Sequence, residues 1–298
     1  MHFARIEEGH LEGIDFSLPA EPLFNKNVLS GEKVANPKIY IGCPRWGVKE
    51  WVGKIYPTAI KEANFLKEYV NHYNAIEFNA THYKLYAPAD IEKWAAKTGD
   101  KDFLFCPKIY KDITHEGVLT SKQTLTNTFL ESVRHFGEHL GPVFFQLSEK
   151  FSAARKTELF TYLELLPADL PLFFEVRHPD WFNGDIPTEL FTKLKALKIG
   201  CVITDVAGRR DCCHMHLTTP KTFVRFAGNS LHPTDYARID NWVNQIRHWL
   251  ENGLQELYFF IHMPDDIFAP ELSVYFIDKL NETCGLQLKK PVFVPVLF

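Results

Sequence analysis

Short apolar runs alternate along most of the chain with longer segments in which apolar residues recur every three or four positions. The runs are typical of strands buried on both faces, and the longer segments are typical of amphipathic helices. This alternation predicts a parallel sheet covered by helices on both faces. The predicted strands are IYIGC (39–43), AIEFN (75–79), FLFCPK (103–108), VFFQL (143–147), LFFEV (172–176), CVITD (201–205), TFVRF (222–226) and LYFFIH (257–262). The predicted helices cover about 59–73, 124–140, 154–166, 187–198, 235–252 and 268–283, with a further one after Pro88.

Eight strands of this kind in 298 residues predict an α/β fold, a single parallel (β/α)8 barrel of the TIM type. The alternative is an open doubly wound sheet, but IYIGCPRWG lacks the GxGxxG spacing that such a sheet places after its first strand. Residues 206–221 have no helical period, so we expect the sixth helix to be short or missing. Residues 1–37 have no clear period either, and we expect them to form an extension that packs on a barrel domain at 38–298.

Composition and charge narrow the function classes. The chain is 46% hydrophobic and 23% charged, which is ordinary for a globular domain. Its 33 basic and 37 acidic residues leave a net charge of −4, which disfavours binding of long nucleic acids by charge alone. This net charge does not exclude a local basic cleft. The N-terminus has acidic residues in place of the apolar core of a signal peptide, and no apolar stretch is long enough to span a membrane. With six irregularly spaced cysteines, we expect reduced thiols, a cytoplasmic location and no membrane partner.

Polar side chains end seven of the eight predicted strands. In a parallel barrel the last inward residues of all strands meet at the C-terminal mouth, where barrel enzymes carry their chemistry. Buried polar groups cost roughly 2–7 kcal/mol without partners, so a ring of them indicates either a ligand site or a salt-bridge network that closes the barrel. We favour the ligand site. The residues are Glu77, Asn79, Lys108, Gln146, Glu175, Arg177, Asp205, Arg225 and His262.

The charges within this ring balance, with three carboxylates against three cations. Such a site can keep its carboxylates ionised and still offer Lys108, Arg177 and Arg225 to an anionic oxygen or phosphate. Close charges also shift pKa values, as acid/base catalysis requires. The catalytic candidates are Glu175 or Glu77 as the base, His115 or His178 as a proton carrier, and Asp205.

Two loops after strands add further candidates. KDITHEG (111–117) brings Thr114 and His115 near the mouth, where a histidine can exchange protons near neutral pH; the alternative is that His115 caps a helix. RHPDWF (177–182) sets His178 and Trp181 beside Glu175, and Trp181 either stacks on a sugar ring or base or covers the core.

A divalent metal is a possible cofactor, and no other cofactor is predicted. Carboxylates and a histidine at the mouth suit Mg²⁺, Mn²⁺ or Zn²⁺, but the interleaved cations oppose a metal ion. These ligand candidates are Glu77, Glu175, Asp205 and His262. The cluster Cys212, Cys213, His214 and His216 lacks the paired CxxC spacing of structural zinc sites. The motifs of P-loop ATPases, zincins, α/β-hydrolases and EF-hand proteins do not occur.

Seven segments together resemble the YecE-like family, also called domain of unknown function 72, over about residues 38–284. They are IGCPRWG, IEFNATHYK, DITHEG, LGPVFFQLSEKF, EVRHPDW, VITD and FVRFAG, in that order. The resemblance implies a TIM barrel and supplies no established activity. It places the family's characteristic polar residues on Glu77, Asn79, Tyr83, Lys108, Thr114, His115, Gln146, Glu175, Arg177, His178, Trp181, Asp205 and Arg225.

The chain departs from the family pattern at three places. After Gly42 the chain has Cys43-Pro44-Arg45 where the family often has Thr-Ser-Gly, and Ser148-Glu149 replaces a Pro-Pro pair. The last strand ends in Phe260-Ile261-His262 where the family often has Phe-Asn-Asn, so this chain has no asparagine amide at that position.

Three hypotheses of function follow. The first is an enzyme, a hydrolase, lyase or isomerase, that uses acid/base groups on a small polar or anionic substrate bearing a sugar or phosphate. The second is a nucleic-acid-processing barrel of the phosphodiesterase or endonuclease kind, which rests on fold analogy and is disfavoured by the net charge. The third is a protein that binds a metabolite at the same mouth without catalysis.

Overall fold

The computed structural model describes residues 5–295, which fold into one barrel of eight parallel strands. All eight predicted strands are confirmed, and with them the TIM-type fold. The strands are β1 Lys38–Cys43, β2 Ala75–Phe78, β3 Leu104–Pro107, β4 Val143–Gln146, β5 Leu172–Glu175, β6 Gly200–Asp205, β7 Lys221–Ala227 and β8 Glu256–His262.

The hydrogen-bonded ladder runs in the order β3-β2-β1-β8-β7-β6-β5-β4. The remaining gap, between β3 and β4, is bridged by two isolated parallel pairings, Phe105 with Leu140 and Lys108 with Phe144. The Ile109 N–H also donates to the Phe144 carbonyl at 3.0 Å. Lys108 therefore lies at the seam where the barrel closes.

Helices cover the outside of the barrel. Pro88, Pro187 and Pro233 all lie in the first turn of a helix, where a missing N–H costs nothing. The helix predicted from 59 begins only at Phe65, after a 3-10 turn at Glu62–Asn64. The α-helices are α1 Phe65–His72, α2 Ala80–Tyr83, α3 Pro88–Ala95, α4 Lys111–Thr114, α5 Gln123–Arg134, α6 Lys156–Glu164, α7 Ile186–Ala196, α8 Pro233–Glu251 and α9 Ala269–Cys284.

The sixth crossover lacks a helix, as predicted. Between β6 and β7 the chain forms only a 3-10 turn at Arg210–Cys212. The extended chain of this crossover contacts β6 through the His216 carbonyl, which accepts from the Cys201 thiol at 3.0 Å, and α8 contacts it through Arg238.

Two layers of apolar side chains hold the barrel together. One layer lies between the strands and the helices, and the other fills the inside of the barrel. Burying each large side chain of this kind contributes roughly 1.5–3 kcal/mol. The inner layer consists of Tyr40, Ala75, Cys106, Phe144, Phe173, Val202, Phe223, Tyr258 and Phe260.

The described part of the N-terminal segment, residues 5–37, lies against the barrel wall beside the sixth crossover. The Asn25 amide donates to the Met215 carbonyl at 2.9 Å and accepts from the Leu217 N–H at 2.8 Å. The Phe16 ring lies 5.3 Å from the Arg210 guanidinium. The division into an extension at 1–37 and a barrel domain at 38–298 stays a prediction.

Two further expectations concern the surroundings of the protein. Within residues 5–295, no helix has the length and apolar character needed to cross a membrane. All six cysteines carry free thiols. The cytoplasmic location stays a prediction.

Candidate functional site

The inward residues of the strands change from apolar to mostly polar within one step toward the C-terminal end. Inward side chains repeat every second residue in a strand, so each residue two positions beyond the inner apolar layer belongs to the next layer. In this layer the side chains must find polar partners, because they lie inside the barrel. The layer consists of Gly42, Glu77, Lys108, Gln146, Glu175, Thr204, Arg225 and His262.

A cavity of about 690 Å³ opens above this layer at the C-terminal mouth. Its apolar wall includes Trp46, whose ring stacks on Phe78 at 5.6 Å. Seven of the residues predicted from the sequence line the cavity. They are Asn79, Tyr83, Lys108, Gln146, Arg177, Arg225 and His262.

The two predicted glutamates lie beneath the cavity floor and hold Arg225 between them. Glu77 and Glu175 are 0% and 1% exposed. The Arg225 guanidinium donates to the two Glu77 oxygens at 2.9 and 2.7 Å and to Glu175 Oε2 at 2.8 Å. Charge-assisted bonds in a fork of this kind are among the strongest in proteins. Arg225 thus stabilises the barrel mouth before any ligand is present.

Both glutamates are held ionised. Burial would raise the pKa of Glu77, but Arg225 and His262 outweigh it and hold that pKa well below its ordinary value. Burial opposes the same shift at Glu175, where Arg177 and Arg225 lower the pKa to about 2. A carboxylate with so low a pKa is a poor proton acceptor near neutral pH. Glu77 and Glu175 are therefore suited to position the guanidinium groups.

Arg177 and Thr204 complete the contacts of Glu175. The Arg177 Nε donates to Glu175 Oε1 at 2.6 Å, and the Thr204 hydroxyl donates to the same oxygen at 3.0 Å. These contacts fix the Glu175 carboxylate in one orientation. Glu175 in turn orients the Arg177 guanidinium at the cavity wall.

Lys108 differs from the other cations of the mouth in its partners. Its Nζ donates to the neutral Gln146 Oε1 at 2.8 Å and forms no ion pair with a carboxylate of the described chain. Burial, followed by the positive charges of Arg225 and Arg177, lowers the pKa of Lys108 to about 7. The side chain is therefore divided between ammonium and neutral amine near neutral pH.

Replacing Lys108 tests whether its buried ammonium group destabilises the folded protein. Lys108→Met is expected to raise the free energy of unfolding at about pH 6, because the folded protein there holds an unfavourable buried ammonium. Between about pH 7 and the ordinary lysine pKa of 10.5, Lys108 is protonated in the unfolded chain but not in the folded protein. The free energy of unfolding of the wild type therefore rises with pH over that window. The advantage of the variant should shrink accordingly in urea unfolding at about pH 9. Lys111→Met, at an exposed lysine, is the control; an advantage that is absent or grows with pH would contradict the account.

His262 lines the cavity and carries a buried ring nitrogen without a partner among the described residues. Its Nε2 lies 2.8 Å from Glu77 Oε2, a bond in which the ring must donate. Burial lowers the pKa of His262 and outweighs the opposing effect of the Glu77 carboxylate. In the neutral ring Nδ1 is then an acceptor, and this buried atom has no partner within residues 5–295. The final strand of the barrel thus supplies a ring nitrogen where the family pattern often has an amide.

Four loop candidates take other positions, behind or beside the cavity. His115 ends α4, its Nδ1 lies 2.9 Å from the Thr114 hydroxyl, and burial with Lys108 lowers its pKa to about 4. His178 caps the 3-10 turn Pro179–Phe182 by accepting from the Asp180 N–H at 3.3 Å. Trp181 is fully buried, and its indole donates to the Phe151 carbonyl at 2.7 Å. Of the two readings of Trp181, the structure favours cover for the core.

Asp205 points out of the barrel from β6, toward α8. The sequence analysis expected it to point inward at the mouth, and that prediction was wrong. The inward residue of this strand is Thr204. The Asp205 carboxylate accepts from the Trp242 indole at 2.7 Å, pairs with Arg238 at 2.9 Å and also binds Arg210. Burial opposes the shift, but Arg238 and Arg210 lower the pKa of Asp205. It ties α8 and the sixth crossover to the barrel.

Of the four metal-ligand candidates, Glu77 and His262 lie in contact at 2.8 Å, but the four do not form a metal-binding arrangement. Within residues 5–295 no group of three or more His, Cys, Asp and Glu side chains is arranged to hold a metal ion. Glu77 and Glu175 are occupied by guanidinium groups, and Asp205 lies outside the barrel. The His214 and His216 rings pack on Phe191 at 4.7 and 4.1 Å.

Several residues that line the mouth were not predicted by the sequence analysis. Arg45 lines the cavity rim after β1, held by Asp266 Oδ2 at 2.7 Å, and Trp46 follows it. Asp265 and Asp266 reach the rim through a left-handed turn with φ of 54° and 57°. The motif after the first strand could have indicated Arg45 and Trp46. Nothing in the sequence pattern indicated the turn.

Comparison with known proteins agrees with this fold. A family model described as "Protein of unknown function DUF72" matches residues 40–293. The UPF0759 protein YecE of Escherichia coli strain K12 is 29% identical over 264 residues, which cover 82% of this chain and 93% of that protein. The UPF0759 protein YunF of Bacillus subtilis strain 168 is 28% identical over 167 residues, or 53% of this chain and 57% of that protein.

Two solved structures share the barrel. A DUF72 family protein from Enterococcus faecalis V583 superposes with a TM-score of 0.67 at 15% identity, covering 87% of this chain and 99% of that chain. A DUF72 family protein from Thermotoga maritima MSB8 gives a TM-score of 0.58 at 19% identity, covering 84% and 100%. At these identities the likeness shows the common fold.

Proposed function

Because this chain belongs to the DUF72 family, a family of unknown function, we propose a function from the cavity itself: the protein is an enzyme that binds a small anionic substrate at the barrel mouth. The substrate class is a sugar or another small polar molecule that carries a phosphate or carboxylate. The reaction class is hydrolase, lyase or isomerase chemistry carried by acid/base groups of the chain.

The arrangement of charge at the mouth carries this proposal. Lys108, Arg177 and Arg225 line the cavity, whereas Glu77 and Glu175 lie beneath it with their oxygens directed to the guanidinium groups. Apart from Asp265 and Asp266 at the rim, where Asp266 is paired with Arg45, the ionised side chains that line the cavity are cations. Guanidinium and ammonium groups in a concave, partly dry site attract phosphate and carboxylate oxygens.

The rest of the wall suits a small polar molecule. Asn79, Tyr83 and Gln146 provide amide and hydroxyl groups, and the stacked rings of Trp46 and Phe78 provide an apolar face. A pocket with one apolar wall and a few convergent polar groups is typical of metabolite sites. Its volume of about 690 Å³ is in the range of small-molecule pockets.

Titratable groups in the same cavity favour an enzyme over a binding protein. Lys108 has a pKa lowered to about 7, and His262 has an acceptor nitrogen without a partner in the described chain. Perturbed acids and bases of this kind concentrate at catalytic sites. In this account Lys108 and His262 move protons, Arg177 binds the anion, and the two glutamates position the guanidinium groups.

Calorimetric titration with inorganic phosphate tests the anion site. Wild-type protein is expected to bind phosphate, and Arg177→Met is expected to bind it roughly 10- to 100-fold more weakly, as for loss of a charged hydrogen-bond donor. Arg177→Lys keeps the charge and should retain part of the affinity. Arg247→Met, on the exposed face of α8, is the matched control.

Two results would contradict the proposal. One is wild-type protein that binds neither phosphate nor small carboxylates. The other is an affinity that stays the same in folded Arg177→Met, which would place the anion elsewhere on the molecule.

A further inference from the structure

Lys108 has the surroundings of a nucleophilic amine. It is 8% exposed, lines the cavity at the end of β3, and its Nζ donates to the neutral amide of Gln146 at 2.8 Å. Elsewhere in the chain, lysines such as Lys54 and Lys221 bind carboxylates at 2.7 and 2.9 Å. An ammonium without a carboxylate partner among the described residues is less stabilised, so the neutral amine is more accessible.

The neighbouring cations act in the same direction. Arg177 and Arg225 are the charged neighbours that, after burial, lower the pKa of Lys108, and they outweigh Glu175 and Glu77. Both glutamates already accept hydrogen bonds from those guanidinium groups, Glu175 from Arg177 and Arg225 and Glu77 from Arg225. An amine beside fixed positive charge in a desolvated pocket is the usual arrangement of lysines that attack carbonyl groups.

We propose that Lys108 forms an imine with an aldehyde or ketone carbonyl of the anionic substrate. This inference rests on the proposed function, because the anion would be bound by Arg177 in the same cavity. The substrate class is then a small carbonyl compound that also carries a phosphate or carboxylate.

The chemistry requires no oxidant, reductant or co-reactant. The Lys108 nitrogen lone pair attacks the carbonyl carbon, a C–N bond forms, and the carbonyl electron pair moves to oxygen, which takes up a proton as nitrogen loses one. The hydroxyl group of this carbinolamine then takes up a proton from solvent and leaves as water with the C–O bonding pair, while the nitrogen lone pair forms the C=N bond and gives the protonated imine. The positive imine withdraws electrons from the adjacent carbon, which suits lyase and isomerase reactions.

Reductive trapping tests the imine with two matched probes. Pyridoxal 5′-phosphate is an aldehyde that carries a phosphate, and pyridoxal is the same aldehyde without it; both serve only as probes. After borohydride reduction and peptide mapping by mass spectrometry, the phosphorylated probe is expected to label Lys108 in preference to exposed lysines. Pyridoxal should label Lys108 far less. Labelling of Lys108 should reach half its maximum near the pKa of about 7.

Variants separate the site from general lysine chemistry. Lys108→Arg should lose the mapped adduct, whereas Lys111→Arg, at an exposed lysine that follows the same strand, should keep it. Inorganic phosphate should compete with labelling of Lys108. Labelling spread equally over exposed lysines, with Lys108 unmodified, would overturn the inference.

The two proposals fail in different ways. If phosphate binds in calorimetry and Arg177→Met weakens it, yet Lys108 is not labelled, the anion site stands and the imine is wrong. If phosphate does not bind and Lys108 is not labelled, both are wrong. Labelling by pyridoxal as strong as by its phosphate would support a reactive amine and contradict the anion site.

Discussion

Arg225→Met is expected to lower the free energy of unfolding by about 3–5 kcal/mol, the usual cost of removing one partner from a buried ion pair. Arg225 is 2% exposed and donates to both Glu77 and Glu175, which have almost no contact with solvent. Its loss leaves two buried carboxylates without their shared cation. Urea unfolding at neutral pH measures the change.

The stability lost in Arg225→Met is expected to depend on pH. In the wild type both carboxyl pKa values lie below 4.5, so their stabilisation is complete above that value and is lost as pH falls through the folded values. Without Arg225, Glu175 keeps Arg177, but Glu77 loses its guanidinium partner, so burial raises the pKa of Glu77 above that of the unfolded chain. The variant therefore gains stability as pH falls toward about 5. The difference between variant and wild type should therefore narrow on acidification.

Two controls frame the Arg225 prediction. Arg225→Met combined with Glu77→Gln should recover part of the loss, because one of the uncompensated charges is removed. Arg45→Met removes a half-exposed arginine paired with Asp266, and should cost at most about 1 kcal/mol. If Arg225→Met lost as little stability as this, the ion pairs of Arg225 with Glu77 and Glu175 would not be what stabilises the mouth.

Asp205→Ala should be about as destabilising, roughly 3–5 kcal/mol, for a different reason. Arg238 is fully buried, and its main carboxylate partner is Asp205 at 2.9 Å; Asp235 is farther, at 3.5 Å. The Trp242 indole also loses its acceptor. The change is read by urea unfolding and by phosphate titration of the folded fraction.

The binding measurement separates the two sides of β6. Because Asp205 lies outside the barrel, phosphate affinity should stay unchanged in folded Asp205→Ala. Asp205→Asn, which keeps an acceptor for Trp242, should lose less stability. A stable Asp205→Ala protein with weakened phosphate binding would restore Asp205 to the mouth and contradict the structure.

The strands were predictable because each is a short apolar run, but their inward faces were less so. Strands of a covered barrel are buried on both sides, so hydrophobicity does not show which residues face inward. On β2, β5 and β7 the charged residue faced inward. On β6 the charged residue faced outward, because Arg238 of α8, far along the chain, supplies its partner. Local sequence carries no sign of that pairing.

Much of the composition of the mouth was predictable, although Asp205 lies outside the barrel and Arg45, Trp46, Asp265 and Asp266 were not predicted. The ion pairs within it were not predictable. The sequence indicated balanced carboxylates and cations, but balance does not say which pairs form. The barrel geometry places Arg225 between both glutamates and leaves Lys108 with a neutral partner. Distances across a barrel depend on how all the strands close, and so the distinct character of Lys108 emerges only in three dimensions.

The most direct measurement of the central claim, a small-anion site at the barrel mouth, is a crystal structure with arsenate, an analogue of phosphate that anomalous scattering locates without ambiguity. We expect an arsenic peak in the cavity, with arsenate oxygens within hydrogen-bonding distance of the Arg177 guanidinium. Arsenic peaks confined to the outer helices, with none in the cavity, would contradict it.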